Sequence, residues 1–113
     1  MYTRILLFFF LSVPVISSAE EKGYMGFSID VSVSGFFNPK LKEVLIKEVA
    51  QNSPAERSGL KPKQSVLEIN GCKIPGCETD QAKFLMSKQR GETLVLLVKK
   101  LDGETVKIKI VAE

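Results

Sequence analysis

No histidine occurs anywhere in the 113 residues. That absence removes the commonest general base, the usual zinc ligand and a charge switch near neutral pH. Cysteine is nearly as scarce, with only Cys72 and Cys77, so a metal site has no further ligands to draw on. Lys and Arg number 16 against 13 Asp and Glu, yet no basic run is interleaved with aromatic residues. Nucleic-acid binding therefore has no footprint beyond a mildly basic balance. No Gly-x-Ser-x-Gly or comparable nucleophile elbow is present, and nothing marks a serine held within reach of a desolvated lysine. The length suits one domain with a modest core. Catalytic residues, cofactors and metal ligands are accordingly not expected, and the chain reads as a non-enzyme.

What is present begins with an apolar N-terminus. Arg4 precedes the run Ile5–Ile16, Pro14 interrupts it, and Ser17 and Ala19 supply small residues before Glu20. This pattern reads as a signal peptide over residues 1–19, followed by a single domain over 20–113, periplasmic or secreted. The run is short for a bilayer span; the alternative is an uncleaved membrane anchor. Beyond Ala19, fifteen Lys and Arg stand against thirteen Asp and Glu. No cysteine follows Ala19 directly, so a bacterial lipid anchor is not indicated. In an exported protein the close pair Cys72 and Cys77 reads as a disulfide with a local role.

The chain is organised around Tyr24-Met25-Gly26-Phe27-Ser28-Ile29-Asp30-Val31. A glycine there lets successive backbone N–H groups point into one concavity, which favours an anion, and the strand that follows offers an edge. The combination suits a peptide's C-terminus. Phe27, Ile29, Val31 and Val33 alternate with Ser28, Asp30, Ser32 and Ser34, the period of a half-buried strand. Turn signals then surround Phe36 and Phe37. One of these is expected on the core with the other partly exposed; the functional alternative is an apolar lip beside a binding groove.

Glu43–Val49 is a second strand whose continuous apolar centre suggests burial on both faces or a bend. Ser53-Pro54-Ala55-Glu56 predicts a short helix, with Ser53 as cap, Pro54 at the first helical position and Glu56 as the capping-box partner. Gly59 should stop it and Leu60 should tuck under the sheet. A third strand, Ser65–Ile69, ends at the tight-turn dipeptide Asn70-Gly71, and Cys72-Lys73-Ile74 continues it briefly. From Thr79 or Asp80 to Arg90 the spacing predicts the main helix, with Ala82, Leu85 and Met86 on its apolar stripe, Phe84 widening it and Gly91 as its stop. Leu94–Val98 and Val106–Val111 are two more strands joined through Asp102-Gly103, the second with its lysines in water.

This order of elements resembles a PDZ domain over essentially the whole chain beyond Ala19. The likeness rests on Tyr24-Met25-Gly26-Phe27 as carboxylate-binding loop, on Ser53-Pro54-Ala55-Glu56-Arg57-Ser58-Gly59-Leu60 as short-helix signature, and on Val66-Leu67-Glu68-Ile69-Asn70-Gly71. The closing hairpin looks like the bacterial form of the family, seen in carboxyl-terminal processing and high-temperature-requirement proteases, and implies a bacterial, periplasmic setting. At one point the chain departs from the pattern: Lys63-Gln64 stand where the family usually has Gly-Asp.

The resemblance implies an α+β fold, a PDZ-like partly open β-barrel or sandwich of five to six strands with one short and one long helix. It implies a non-catalytic adaptor that captures C-terminal or extended segments of partner proteins by β-augmentation, with an envelope protease or assembly complex among the partners it suggests. The backbone N–H groups of Met25, Gly26 and Phe27 would hold the carboxylate. Ile29, Val31, Thr79, Lys83 and Met86 would line the groove, with Met25, Phe27, Ile29 and Met86 around an adaptable pocket for the last side chain. Family members that prefer Ser or Thr two residues before the end carry His where this chain has Thr79, so that preference is not expected. Lys83 would favour an acidic or polar ligand residue. The alternative is a membrane-anchored module of an envelope or secretion complex that docks onto a folded subunit.

Overall fold

Alternating and continuous apolar runs become six strands, and the Ser53-capped segment and the one after Cys77 become two helices, across residues 22–113, which the computed structural model describes. The segment read as a signal peptide, 1–19, lies outside those residues. β1 (Phe27–Ser34) pairs antiparallel with β2 (Lys40–Val49), and β2 with β3 (Ser65–Ile69). On its other side β3 pairs with β5 (Thr93–Lys99), which pairs in turn with β6 (Thr105–Val111). The two-residue β4 (Cys72–Lys73) folds back on β3. The sheet is open, in the order β1-β2-β3-β5-β6, which leaves β1 at an edge. α1 (Pro54–Arg57) and the longer α2 (Thr79–Met86) complete an α+β, PDZ-like fold.

The core sits where alternate residues of the central strands converge, with Ile46, Ile69, Leu94, Leu96 and Ile110 all essentially inaccessible. On β6 the alternation holds as expected: Ile108 and Ile110 are buried while Lys107 and Lys109 face water. On β2 the continuous apolar centre is explained by bulges. The β1–β2 register skips Lys47 and Lys42 on β2, so Leu41 and Val44, three apart, both reach the core.

Local chemistry at α1 follows the sequence closely. The Ser53 hydroxyl accepts from the Glu56 N–H at 3.1 Å and donates to the Ala50 carbonyl at 2.8 Å. Glu56 reaches back one residue further than a capping box requires, to the Asn52 N–H at 2.7 Å. Gly59, at φ +100°, ends the helix: its N–H donates to Glu56 C=O and that of Leu60 to Ala55 C=O, which buries Leu60.

Where the resemblance leads one to expect a glycine, Lys63 takes φ +74°. The turn is kept because its N–H donates to Ile46 C=O at 2.7 Å and Ile46 returns a bond to Gln64 C=O at 2.9 Å. Buried Gln64 fills the corner and accepts from the Lys61 N–H. A left-handed residue with a Cβ costs about 1–2 kcal/mol, against about 0.5–1 for the extra freedom of glycine in the unfolded chain. Lys63→Gly is therefore expected to stabilise the protein by about 0.5–1 kcal/mol. A urea titration showing an unchanged or lower midpoint would contradict this.

Four expectations are corrected. α2 ends at Met86 instead of Arg90, because the next residues leave the helix to pair with the N-terminal lead-in: Lys88 C=O accepts from the Gly23 N–H, and Gln89 bridges Lys22. Phe84 does not widen the buried stripe and is 77% exposed. Neither Phe36 nor Phe37 packs on the core; they are 90% and 92% exposed, edge to face with ring centroids 5.7 Å apart. Likewise β1 is half-buried only near its start, at Phe27 and Ile29; Val31 faces an open hollow beside α2 and Val33 lies outside it, so both are exposed.

Candidate functional site

The loop before β1 is shaped by Gly26. Its φ is +87°, and a Cβ there would stand 2.2 Å from Ser53 Cβ and 2.7 Å from Ser53 Oγ. Only glycine fits so close to the cap of α1 in that conformation. The loop's carbonyl groups are taken: Met25 C=O accepts from the Ala55 N–H at 2.9 Å and Gly26 C=O from the Ala50 N–H at 2.8 Å. Tyr24 exchanges two backbone bonds with Glu113, at 2.8 and 3.0 Å. The amides of the next two residues are in the opposite state. Neither the Met25 nor the Gly26 N–H donates to another group among the described residues.

Phe27 adds a third such amide by strand geometry. The Ala50 N–H to Gly26 C=O bond, the one bond between these facing residues, sets the phase of the ladder, so the next pair, Phe27 and Val49, is a non-bonded one whose N–H groups point away from each other. For Phe27 that direction is the open edge of the sheet. Among the described residues three successive amides are thus without an acceptor at the head of a strand with one open edge, an arrangement suited to an anion without a basic side chain.

Two hollows meet at this place. The first, of about 690 Å³, is lined by the loop residues Met25, Gly26 and Phe27, and also by Tyr24, Val49, Pro62 and Met86. A second, of about 580 Å³, lies between β1 and α2 and is lined by Ile29, Val31, Thr79, Lys83 and Met86. Met86 belongs to both. All eight residues expected from the sequence to line a carboxylate loop and groove are therefore brought together along one edge. The sequence reading missed the floor of the second hollow, formed by Leu41, Ile69 and Ala82, and Ser87 at its rim. The core positions could have been found by asking which buried side chains lie under a strand edge; Ser87 carries no such signal.

α2 is set as a wall by bonds to the turn end of the β1–β2 hairpin. Both the N–H and the hydroxyl of Thr79 donate to Pro39 C=O at 3.0 Å, so that hydroxyl's proton is committed within the fold. Just before the helix, Leu41 N–H donates to Cys77 C=O and Gly76 N–H to Leu41 C=O. The disulfide Cys72–Cys77, with Cα atoms 5.5 Å apart, joins this segment to β4. Further along α2, Lys83 is exposed, and its ammonium has no partner among the described residues.

Comparison with known proteins adds independent findings. The family model described as PDZ domain matches residues 15–99. A probable CtpA-like serine protease of Staphylococcus haemolyticus is 31% identical over 80 residues, covering 70% of this chain and 16% of that protein. The carboxy-terminal processing protease CtpA of Bacillus subtilis is 32% identical over 54 residues, 48% of this chain and 12% of that one. The chain thus spans a small fraction of the curated relatives it matches. Among solved structures, the HtrA3 PDZ domain bound to a phage-derived ligand superposes with a TM-score of 0.57 at 19% identity, covering 81% of this chain and 86% of that one. The PDZ domain of the carboxy-terminal protease from Vibrio cholerae, in complex with peptide, gives 0.51 at 18% identity, covering 78% and 94%. At those identities the likeness is one of fold.

Proposed function

The chain belongs to the PDZ domain family, and from that premise we propose that it captures the C-terminal segment of a partner protein by adding it as a strand beside β1. One observation carries the reading: three amides without an acceptor among the described residues, at Met25, Gly26 and Phe27, stand at the head of an open strand edge that runs into an apolar hollow. The carboxylate would sit on those amides and the last side chain against Met25, Phe27, Ile29 and Met86. Methionine at two of those positions suits a broad apolar preference. Two structural neighbours, one bound to a phage-derived ligand and the other in complex with peptide, support a peptide as occupant.

The role proposed is that of a non-catalytic adaptor, exported after removal of residues 1–19 and acting on partner proteins, among them an envelope protease or assembly complex. The disulfide agrees with an oxidising compartment, and among the described residues no helix is long and apolar enough to cross a membrane. Mass measurement of the N-terminus of the chain recovered from cells tests the cleavage. For the binding itself, residues 20–113 are screened against a C-terminal peptide library with amidated copies of each hit. Apolar-ended peptides should bind and amidation should abolish it; binding indifferent to amidation would overturn the proposal.

Lys83 supplies a finer prediction. With its ammonium unpartnered beside the groove, Lys83→Glu should weaken binding of peptides with an acidic residue in mid-segment several-fold and improve their lysine counterparts. An exposed pair is worth about 0.2–1 kcal/mol, so the change should shrink as salt is raised. Equal affinities for both peptides would show that Lys83 serves only as a solvated charge.

A further inference from the structure

β1 is longer than its wall. Its eight residues, at about 3.4 Å each, extend roughly twice as far as the eight of α2 at about 1.5 Å. Ile29 and Val31 line the hollow beside α2, and Val33 does not. Both irregularities of the β1–β2 ladder are carried by β2, at Lys47 and Lys42, so β1 itself stays regular. Every odd-numbered residue from Phe27 to Val33 accordingly turns its backbone groups to the open edge and its side chain to one face. At the far end Val33 is 51% exposed, and the hairpin beyond it presents the nearly bare rings of Phe36 and Phe37.

Resting on the peptide-capture reading above, we propose that the site takes an extended segment of about eight residues or more, with Val33, Phe36 and Phe37 forming an upstream subsite for an apolar side chain. Two ligand residues pass for every two of β1, so with the last residue beside Phe27 the one beside Val33 stands about six positions earlier. Continuity of the backbone edge argues for this occupant. The row of edge N–H and C=O groups runs unbroken from Phe27 to Val33, and a ligand that stopped at the end of α2 would leave the last of them unpaired. Selection would therefore fall on unfolded tails with apolar residues both at the end and well upstream, a class more specific than any apolar C-terminus.

The test uses the full chain and fluorescently labelled peptides of four and ten residues that share the same last four. Anisotropy should show the ten-residue peptide, with leucine six positions before its end, binding at least tenfold more tightly. Aspartate at that position, or the double variant Phe36→Ser with Phe37→Ser, should remove the advantage and leave the four-residue peptide unaffected. Equal binding of the two lengths, with the carboxylate still required, would overturn the subsite and leave the groove standing. Failure of both peptides to bind would remove the groove and the subsite together. Cosedimentation with vesicles of phosphatidylglycerol and phosphatidylethanolamine, lost in the same double variant while both peptide lengths bind equally, would reassign Phe36 and Phe37 to a lipid surface and overturn the proposal.

Discussion

Gly26→Ala is expected to lower stability by about 3 kcal/mol and to abolish peptide binding. Two costs add. Holding a residue with a Cβ in the left-handed region costs about 1–2 kcal/mol, and Gly26 sits at φ +87°. The new methyl would also lie 2.2 Å from Ser53 Cβ, inside a buried contact, and forcing an extra carbon into packed structure costs about 1–3 kcal/mol. For a domain of this size the melting midpoint should fall by roughly 12–24 °C. Gly71→Ala provides the control, because Gly71 has a similar φ of +86° and nothing within 4 Å of a Cβ. It should lose only about 1–2 kcal/mol and keep its affinity. Equal losses at the two sites, read by calorimetry, would show that contact with Ser53 contributes nothing.

Reduction of Cys72–Cys77 carries the second large effect. Closing so short a loop stabilises by roughly 2 kcal/mol in the chain-entropy picture. The position of the bond makes a functional consequence follow. Cys72 ends on β4, held to β3, while Cys77 pairs through its backbone with Leu41 and lies two residues before α2. The bond therefore fastens the start of the groove wall to the sheet, and its loss should let Thr79 and Lys83 drift from Ile29 and Val31. Peptide affinity of the Cys72→Ser, Cys77→Ser variant, measured well below its melting temperature, is expected to drop about tenfold, or about 1.4 kcal/mol. Unchanged affinity with reduced stability would make the bond structural only.

Local punctuation made most of the fold legible. Ser53-Pro54, Gly59 and Asn70-Gly71 act within a few residues of themselves, and each lies where its chemistry requires. Alternation likewise assigned faces correctly on β1 and β6. It could not assign depth, because a stripe such as Phe27, Ile29, Val31 and Val33 is buried only as far as something lies above it. The early end of α2 was hidden for a related reason. Ser87–Arg90 suit a helix locally, and the competing partners, Lys22 and Gly23, stand more than sixty positions away. Phe36 and Phe37 were misjudged because adjacency forbids two inward side chains without requiring even one. The placement, though not the binding role, of the residues on the loop and on both walls of the candidate site was readable, since each belongs to a periodic or punctuated element. Its floor was not, since Leu41 and Ile69 are ordinary core positions until the edge above them is known.

The backbone pairing of Tyr24 with Glu113 reaches further than its place in the fold suggests. Fixed at Tyr24 by Glu113, at Met25 by Ala55 and at Gly26 by Ala50, the loop holds its shape before any ligand arrives. Fixing the backbone of one flexible residue costs about 1–2 kcal/mol. Here that entropy is surrendered during folding, so complex formation should be opposed mainly by the disorder of the incoming tail. The end of β6 thereby becomes a tuning point remote from any ligand: fraying at Ala112 and Glu113 would restore motion to the three amides and weaken capture, with every groove side chain unchanged.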